Sequence, residues 1–382
     1  MEERFIVIYH IIGDKSTALE KAKVICLEQT VEVGDELVLD GFIRDQVIGE
    51  LEDFFAITNG IYEAHISYAI DTTAYELTQL LNIIFGNTSI KAGIRVHRLN
   101  LGAGILSQFS GPRFGIAGLR KIVNVYDKPL LCTALKPMGK SAILLAEFAY
   151  QFALNGVDVI KDDHGLTNQP FCPFEERVKA CVEAVATANQ KTGKHCIYVP
   201  NITAPTTDIM GRVYFAKKEG VGGLLIAPGL TGFDTMRSLS ENNEINLPLI
   251  SHPAFLGSMV TNPNNGFSHA ALFGQLQRLA GADASIFPNY GGRFGFSKKE
   301  CQSIAESCKE KMGHYFPMFP TPGGGMSLEN IPDMLTLYGN DVIFLIGGAL
   351  YSRSADLGDN VRYFLSLVGR DTLRDTRQCV ST

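Results

Sequence analysis

The stretch Val157-Asp158-Val159-Ile160-Lys161-Asp162-Asp163-His164-Gly165-Leu166 opens as a buried strand and ends in charge. Val157, Val159 and Ile160 form the β-branched apolar run that parallel sheets favour. Lys161 to His164 then place four ionisable side chains at the strand's carboxyl end, where α/β proteins open their ligand crevice. A salt-bridged strand exit would carry the same residue types, so the cluster alone leaves binding site and scaffold both open.

The surrounding pattern gives the stretch a place. From Lys128 onward, strand-like runs recur at residues 130–135, 157–161, 196–200, 223–227, 247–251, 284–287, 315–319 and 341–346. Helical spacing fills the intervals at 142–154, 174–190, 207–219, 234–240, 268–279, 298–311, 328–338 and 357–367. Asn155-Gly156 and Gly339 stand where helices need a left-handed stop. Eight alternations of this size predict an α/β architecture, a (β/α)8 TIM barrel over residues 126–382. Residues 1–125 read as a smaller α+β, ferredoxin-like domain. Its strands are expected at 5–9, 30–33 and 62–70 and its helices at 17–26 and 74–84, with 111–115 as the linker.

Composition narrows the function class. The 382 residues are 46% hydrophobic, enough for a large core, and the formal net charge is −6. With no basic block or aromatic-basic stripe, nucleic acid is not an expected partner. The eight cysteines, Cys26, Cys132, Cys172, Cys181, Cys196, Cys301, Cys308 and Cys379, lack the paired spacing of zinc sites and read as reduced thiols. No apolar run reaches the roughly 20 residues of a membrane span, and the first residues lack a signal peptide's basic start. A cytoplasmic protein without a membrane partner is expected.

In a barrel every strand's carboxyl end faces one mouth. That mouth then holds Lys136, the Lys161-Asp162-Asp163-His164 group, Asn201, His252, Asn289, Arg293 and two glycine turns, Gly323-Gly324-Gly325 and Gly347-Gly348. The turns follow the seventh and eighth strands, a frequent phosphate site where bare amides meet the anion. Either turn alone would pass for a tight corner.

Several of these residues stand in motifs that resemble the large subunit of ribulose-bisphosphate carboxylase (RuBisCO). They are Thr133-Ala134-Leu135-Lys136-Pro137-Met138-Gly139, Lys161-Asp162-Asp163-His164 followed by Asn168-Gln169-Pro170-Phe171, and Leu230-Thr231-Gly232-Phe233. The two glycine turns match as well, and Glu28-Gln29-Thr30 and Phe85-Gly86-Asn87 resemble elements that reach into a partner's active site. The resemblance implies that Lys161 is carbamylated by CO2 and binds one Mg2+ with Asp163 and His164. It implies that Lys136 is the acid/base lysine, His252 a catalytic mouth histidine, and Gly324, Gly325, Gly347 and Gly348 a phosphate cradle. Glu28 and Asn87 would serve the neighbouring subunit of a homodimer with its active site at the interface.

Departures from the carboxylases redirect the function. His164 stands where they carry a glutamate ligand, Met138 where they carry a second catalytic lysine, and Pro253 where an arginine holds the second phosphate. The mobile-loop lysine has only Arg293 as its nearest counterpart. These changes imply a RuBisCO-like protein acting on a singly phosphorylated sugar or sugar acid through an enediolate. Because His164 makes the metal site less negative, the first expectation is a lyase that decarboxylates 3-oxo-isoapionate 4-phosphate. The alternatives are a transcarboxylase or hydrolase on that compound, an enolase or isomerase of a methylthio sugar phosphate, and an inactive binding or regulatory member. Buried cysteine is the simpler reading of Cys132 and Cys172, which an isomerase could also use.

Overall fold

The structure, a computed structural model, describes residues 3–38 and 41–370; Cys379 and Met1-Glu2, read above, lie outside them. The first part runs β1 (Arg4–Ile12), α1 (Lys15–Glu28), β2 (Glu50–Thr58), β3 (Ile61–Ala69), α2 (Leu77–Phe85), β4 (Ile94–Asn100), α3 (Gly102–Leu106) and α4 (Gly115–Val123). Next come β5 (Leu130–Leu135), α5 (Ala142–Asn155), β6 (Val159–Asp162), α6 (Phe174–Thr192), β7 (Ile197–Val199), α7 (Thr206–Glu219), β8 (Leu224–Ile226), α8 (Pro228–Thr231), α9 (Phe233–Glu241) and β9 (Leu249–Ser251). The rest is β10 (Gly266–Phe267), α10 (Leu276–Leu279), β11 (Ala284–Pro288), α11 (Lys298–Lys309), β12 (Phe319–Gly323), α12 (Ile331–Tyr338), β13 (Ile343–Leu345), α13 (Gly348–Ser352) and α14 (Leu357–Leu367).

The N-terminal sheet has the order β10-β4-β1-β3-β2, with β1 antiparallel to β3 and β4 and β2 antiparallel to β3. That is the ferredoxin-like arrangement, extended by the two residues of β10. Phe5, Val7, Tyr9 and Ile11 alternate onto the face covered by α1 and α2, where they bury against Ala18, Ala22, Leu77 and Leu80. Residues 30–33 are a turn rather than the expected strand. The Val31 and Glu32 amides return to the Leu27 carbonyl, and Glu32 has φ 55°, so the end of α1 is satisfied locally instead of by a ladder. β2 and β4 escaped the sequence reading because charged and histidine residues break up their apolar alternation.

The barrel closes from two four-stranded arcs, β13-β5-β6-β7 and β12-β11-β9-β8. β7 and β8 meet through a single bridge between Asn201 and Leu225. At the other seam β12 lies beside β13 without a ladder. The cause is chemical: Phe319 and Gly323 bond toward β11, which turns Pro320 and Pro322 toward β13, and proline has no N–H to offer there. The same prolines explain why the seventh strand, expected at 315–319, begins at Phe319 and ends at Gly323. The helix expected at 268–279 opens as a wide π turn over Ala271–Gln275 before α10.

Leu130, Cys132, Val159, Val199, Leu225, Ile250, Ile286, Phe319, Ile343 and Leu345 point inward and fill the barrel. Ile116, Leu119 and Val123 of α4 join the same cluster and plug its floor. Asp283, fully buried just before β11, holds that plug in place. Its Oδ1 accepts from the Phe114 and Gly115 amides at 2.6 and 2.7 Å, and its Oδ2 from the Leu249 amide at 2.9 Å. Among the described residues no helix is long and apolar enough to cross a membrane. Asp283→Ala leaves three amide donors without an acceptor, two of them buried at ~1–3 kcal/mol each; chemical denaturation is expected to show a loss of at least ~2 kcal/mol.

Candidate active site

Alternation along the barrel strands decides which residues reach the mouth. Leu130 and Cys132 fill the interior; Ala134 and Lys136, further along that row, line a cavity of about 550 Å³ above it. Val159 is followed by Lys161 and Asp163, Ile250 by His252, and Ile343 and Leu345 by Gly347, all in the cavity wall. His164, Arg293, Gly324, Gly325 and Gly348 complete this set. The sequence-predicted group therefore assembles around one space.

Two lysines, a carboxylate and two imidazoles meet in this lining. Lys136 Nζ lies 3.2 Å from Asp163 Oδ1. Burial would raise the Asp163 carboxyl, but the His164 contact, Lys161 and Lys136 outweigh it and hold Asp163 far below the usual carboxylate range. Lys161 is 1% exposed, and burial pushes its amine below the usual lysine value, toward the neutral nucleophilic form. Its Nζ donates to the Asp162 carbonyl at 2.9 Å. His164 Nδ1 stands 3.4 Å from Asp163 Oδ1, and its ring stacks on His252 with centroids 4.4 Å apart. Burial, then Lys161 and His164, depress the His252 imidazole well below its ordinary value. His252 Nδ1 accepts from the Ala254 amide at 3.1 Å, which leaves Nε2–H of the neutral ring as the donor.

Asp162 points the other way. It is fully buried and accepts from Arg177 Nε at 3.1 Å, Tyr198 Oη at 2.7 Å and the Asn201 amide at 3.0 Å. Arg177 also donates to the Thr167 and Cys172 carbonyls, and Asn201 Nδ2 to those of His164 and Leu166. These bonds set the loop that carries Asp163 and His164. Asn201 is thus a clamp beneath the mouth rather than part of the cavity wall. Asn289 is likewise inward, its Oδ1 accepting from Tyr338 Oη at 2.6 Å.

The glycine turns line the same cavity. Gly324 and Gly325 have φ of 81° and 97°, and a β-carbon on Gly325 would stand 3.1 Å from the Arg293 amide nitrogen. One on Gly347 would stand 3.8 Å from Lys136 Cε, which puts this turn beside the lysine. Sequence reasoning missed the apolar side: Phe255, Phe294, Phe296 and Met326 also line the cavity. Phe255 is 76% exposed at φ 71°, a left-handed residue at the rim that no periodicity announces. Tyr351 was missed too; its hydroxyl donates to the Ala134 carbonyl at 3.0 Å and accepts from the Lys136 amide at 3.3 Å. Cys132 and Cys172 are buried and outside the cavity wall, and burial pushes the Cys132 thiol up to about 12.

Glu28 and Asn87 are paired with each other away from this cavity. Asn87 Nδ2 donates to Glu28 Oε1 at 3.2 Å, and Lys91 Nζ to Glu28 Oε2 at 2.6 Å.

The family model described as "Ribulose bisphosphate carboxylase large chain, catalytic domain" matches residues 115–355. A protein of Rhodospirillum rubrum named 5-methylthioribulose-1-phosphate isomerase is 35% identical over 96% of this chain and 97% of its own. A Bacillus pumilus protein named 2,3-diketo-5-methylthiopentyl-1-phosphate enolase is 32% identical over 83% of this chain and 79% of its own. The crystal structure of a Rubisco-like protein from Rhodopseudomonas palustris superposes with a TM-score of 0.86 at 35% identity, over 98% of this chain and all of that one.

Arg177→Met leaves Asp162 charged, buried and unpaired, a cost of roughly 3–5 kcal/mol. Urea denaturation is expected to register that loss, and the double variant Asp162→Asn/Arg177→Met to recover much of it.

Proposed function

The chain belongs to the RuBisCO large-chain family, among its RuBisCO-like members, and from this we propose that it is an enolase or isomerase of a singly phosphorylated keto sugar with an apolar tail. The observation that carries the reading is the division of one cavity into three chemistries. Its lining holds Lys136 and Asp163 3.2 Å apart, a single glycine cradle, and the apolar side chains of Phe255, Phe294, Phe296 and Met326. The names of the relatives, which concern methylthio sugar phosphates, support this choice above decarboxylation.

The donor set fits a divalent cation: the ionised Asp163, the His164 imidazole, and Lys161, whose buried amine is suited to add CO2 and lose a proton to become a carbamate. When bound, Mg2+ would polarise the substrate carbonyl and favour the enediolate. The protein's own residues do the rest. Gly324, Gly325, Gly347 and Gly348 offer backbone amides to the phosphate, and Arg293 adds a cation at the same wall. Lys136 takes the proton from the carbon beside the carbonyl and returns it to the neighbouring carbon, or leaves the enol. His252, neutral with Nε2–H free to donate, orients a substrate oxygen. The aromatic rim excludes water and receives the apolar tail.

Decarboxylation of 3-oxo-isoapionate 4-phosphate is the second reading, favoured by His164, since an imidazole at this position repels a substrate carboxylate less than a glutamate would. A homodimer completes the proposal: Glu28 and Asn87 lie away from their own cavity and are useful only to a neighbour's. We place the enzyme in the cytoplasm.

The test is turnover of 5-methylthioribulose 1-phosphate in D2O with Mg2+ and bicarbonate, followed by proton and phosphorus NMR. Deuterium entry beside the carbonyl is expected, and Lys136→Met is expected to slow it by about 10²–10⁴-fold. CO2 release from the 3-oxo acid, with no exchange on the methylthio sugar, would sink the reading. Gly325→Ala, which crowds the cradle at a left-handed position, is expected to raise KM about 10- to 100-fold, the loss of one charge-assisted bond of ~1.5–3 kcal/mol.

A further inference from the structure

The N-terminal sheet carries a second cluster of ligating side chains, remote in sequence from the barrel mouth. His10 on β1 stands directly opposite Glu63 on β3 in the antiparallel register. On the other side of β1, the β4 register passes from Val96 to Arg98 between Tyr9 and Ile8, so His97 is the extra residue of a β-bulge. The bulge brings its ring onto that of His10, with centroids 3.8 Å apart and planes within 14°. All three lie on the sheet face opposite α1 and α2, and one ligand atom from each lies within 4.8 Å of the others.

The cluster has the chemistry of a metal site rather than of an ion-pair network. His10 Nε2 is 3.1 Å from Glu63 Oε2, while His65 Nε2 holds Oε1 at 2.8 Å. Glu63 is therefore oriented by a fourth side chain, as carboxylate ligands are. The His97 ring has no hydrogen bond among the described residues. Both rings lie half-buried on this face, and a neutral imidazole offers one ring nitrogen to a metal. Arg95 and Arg98 are the nearby cations that oppose a metal; the Arg95 guanidinium donates to the Phe267 and Pro263 carbonyls, and Arg98 pairs with Glu310.

We propose that His10, Glu63 and His97 form a binding site for a borderline divalent transition metal of the Zn2+ class, with His65 as the positioning residue for Glu63. Two imidazoles and one carboxylate leave a fourth tetrahedral position for water, and this donor set does not suit Mg2+. Bond lengths of about 2.0–2.2 Å set ligand atoms roughly 3.3 Å apart; His10 Nε2 and Glu63 Oε2 already stand at 3.1 Å, and rotation of the half-buried His97 ring brings in the third. The ion would tie β4, β1 and β3 across the sheet.

The experiment uses the full chain, stripped of metal and kept in excess Mg2+, titrated with Zn2+ against a chromophoric chelator and with Co2+ by visible absorption. An Asp163→Asn/His164→Gln background silences the barrel mouth, whose own histidines would compete. One Zn2+ equivalent and a tetrahedral Co2+ spectrum are expected to survive in that background. His10→Gln/His97→Gln on top of it is expected to weaken Zn2+ by about 100-fold or more and abolish the spectrum, and His65→Gln to weaken it by about 10-fold. Should the double change fail to fold by circular dichroism, His97→Gln alone carries the test. Loss of the equivalent with the barrel mouth, or wild-type affinity in folded His97→Gln protein, overturns the proposal.

Discussion

The two-residue period of the barrel strands is the constraint on which the rest depends. Because successive side chains alternate, each inward row is filled with apolar residues low in the barrel and reaches its mouth with whatever stands two or four positions later. Leu130, Cys132 and Ala134 make Lys136 a mouth residue; Val159 does the same for Lys161 and Asp163, and Ile250 for His252. The same period turns Asp162 outward, where Arg177, Tyr198 and Asn201 neutralise and hold it. Two adjacent aspartates thus take opposite roles: Asp162 anchors the loop that Asp163 needs.

The two lysines of the mouth differ in burial. Lys161, sealed in the wall, is driven toward neutrality, whereas Lys136 keeps an ionised carboxylate at 3.2 Å. The two amines thus meet the same carboxylate from different surroundings, one buried in the wall and one half-exposed beside it. His164 and His252 stack as a pair beside Asp163. The mouth thus presents a pair of imidazoles, and Phe255, Phe294 and Phe296 add apolar surface to its lining.

The N-terminal sheet uses the same geometry with one interruption. Its alternation sends Phe5, Val7, Tyr9 and Ile11 to α1 and α2 and leaves His10, Glu63 and His65 on the far face. The bulge at His97 adds a residue that the regular period would not bring against His10. Both clusters of histidine and carboxylate therefore arise from strand geometry, one at strand ends and one at a ladder irregularity.

Periodicity in the sequence determined the barrel, most of its helices and the inward group Lys136, Lys161, Asp163, His164 and His252, because strand spacing and loop position are local properties of the chain. The glycine turns were legible for the same reason. Tertiary structure decided what local pattern cannot encode. It placed the seventh strand on Phe319–Gly323, since Pro320 and Pro322 are tolerated only because their missing N–H groups face a seam without a ladder. It sorted Asn201 and Asn289 into the scaffold, whose partners lie on other strands and helices. It brought Phe255 and Phe294, from two separate loops, to one cavity, and gathered His10, Glu63 and His97 from three strands. Side-chain partners that are distant in sequence meet only when the sheets close, and it is closure that turns residue types into sites.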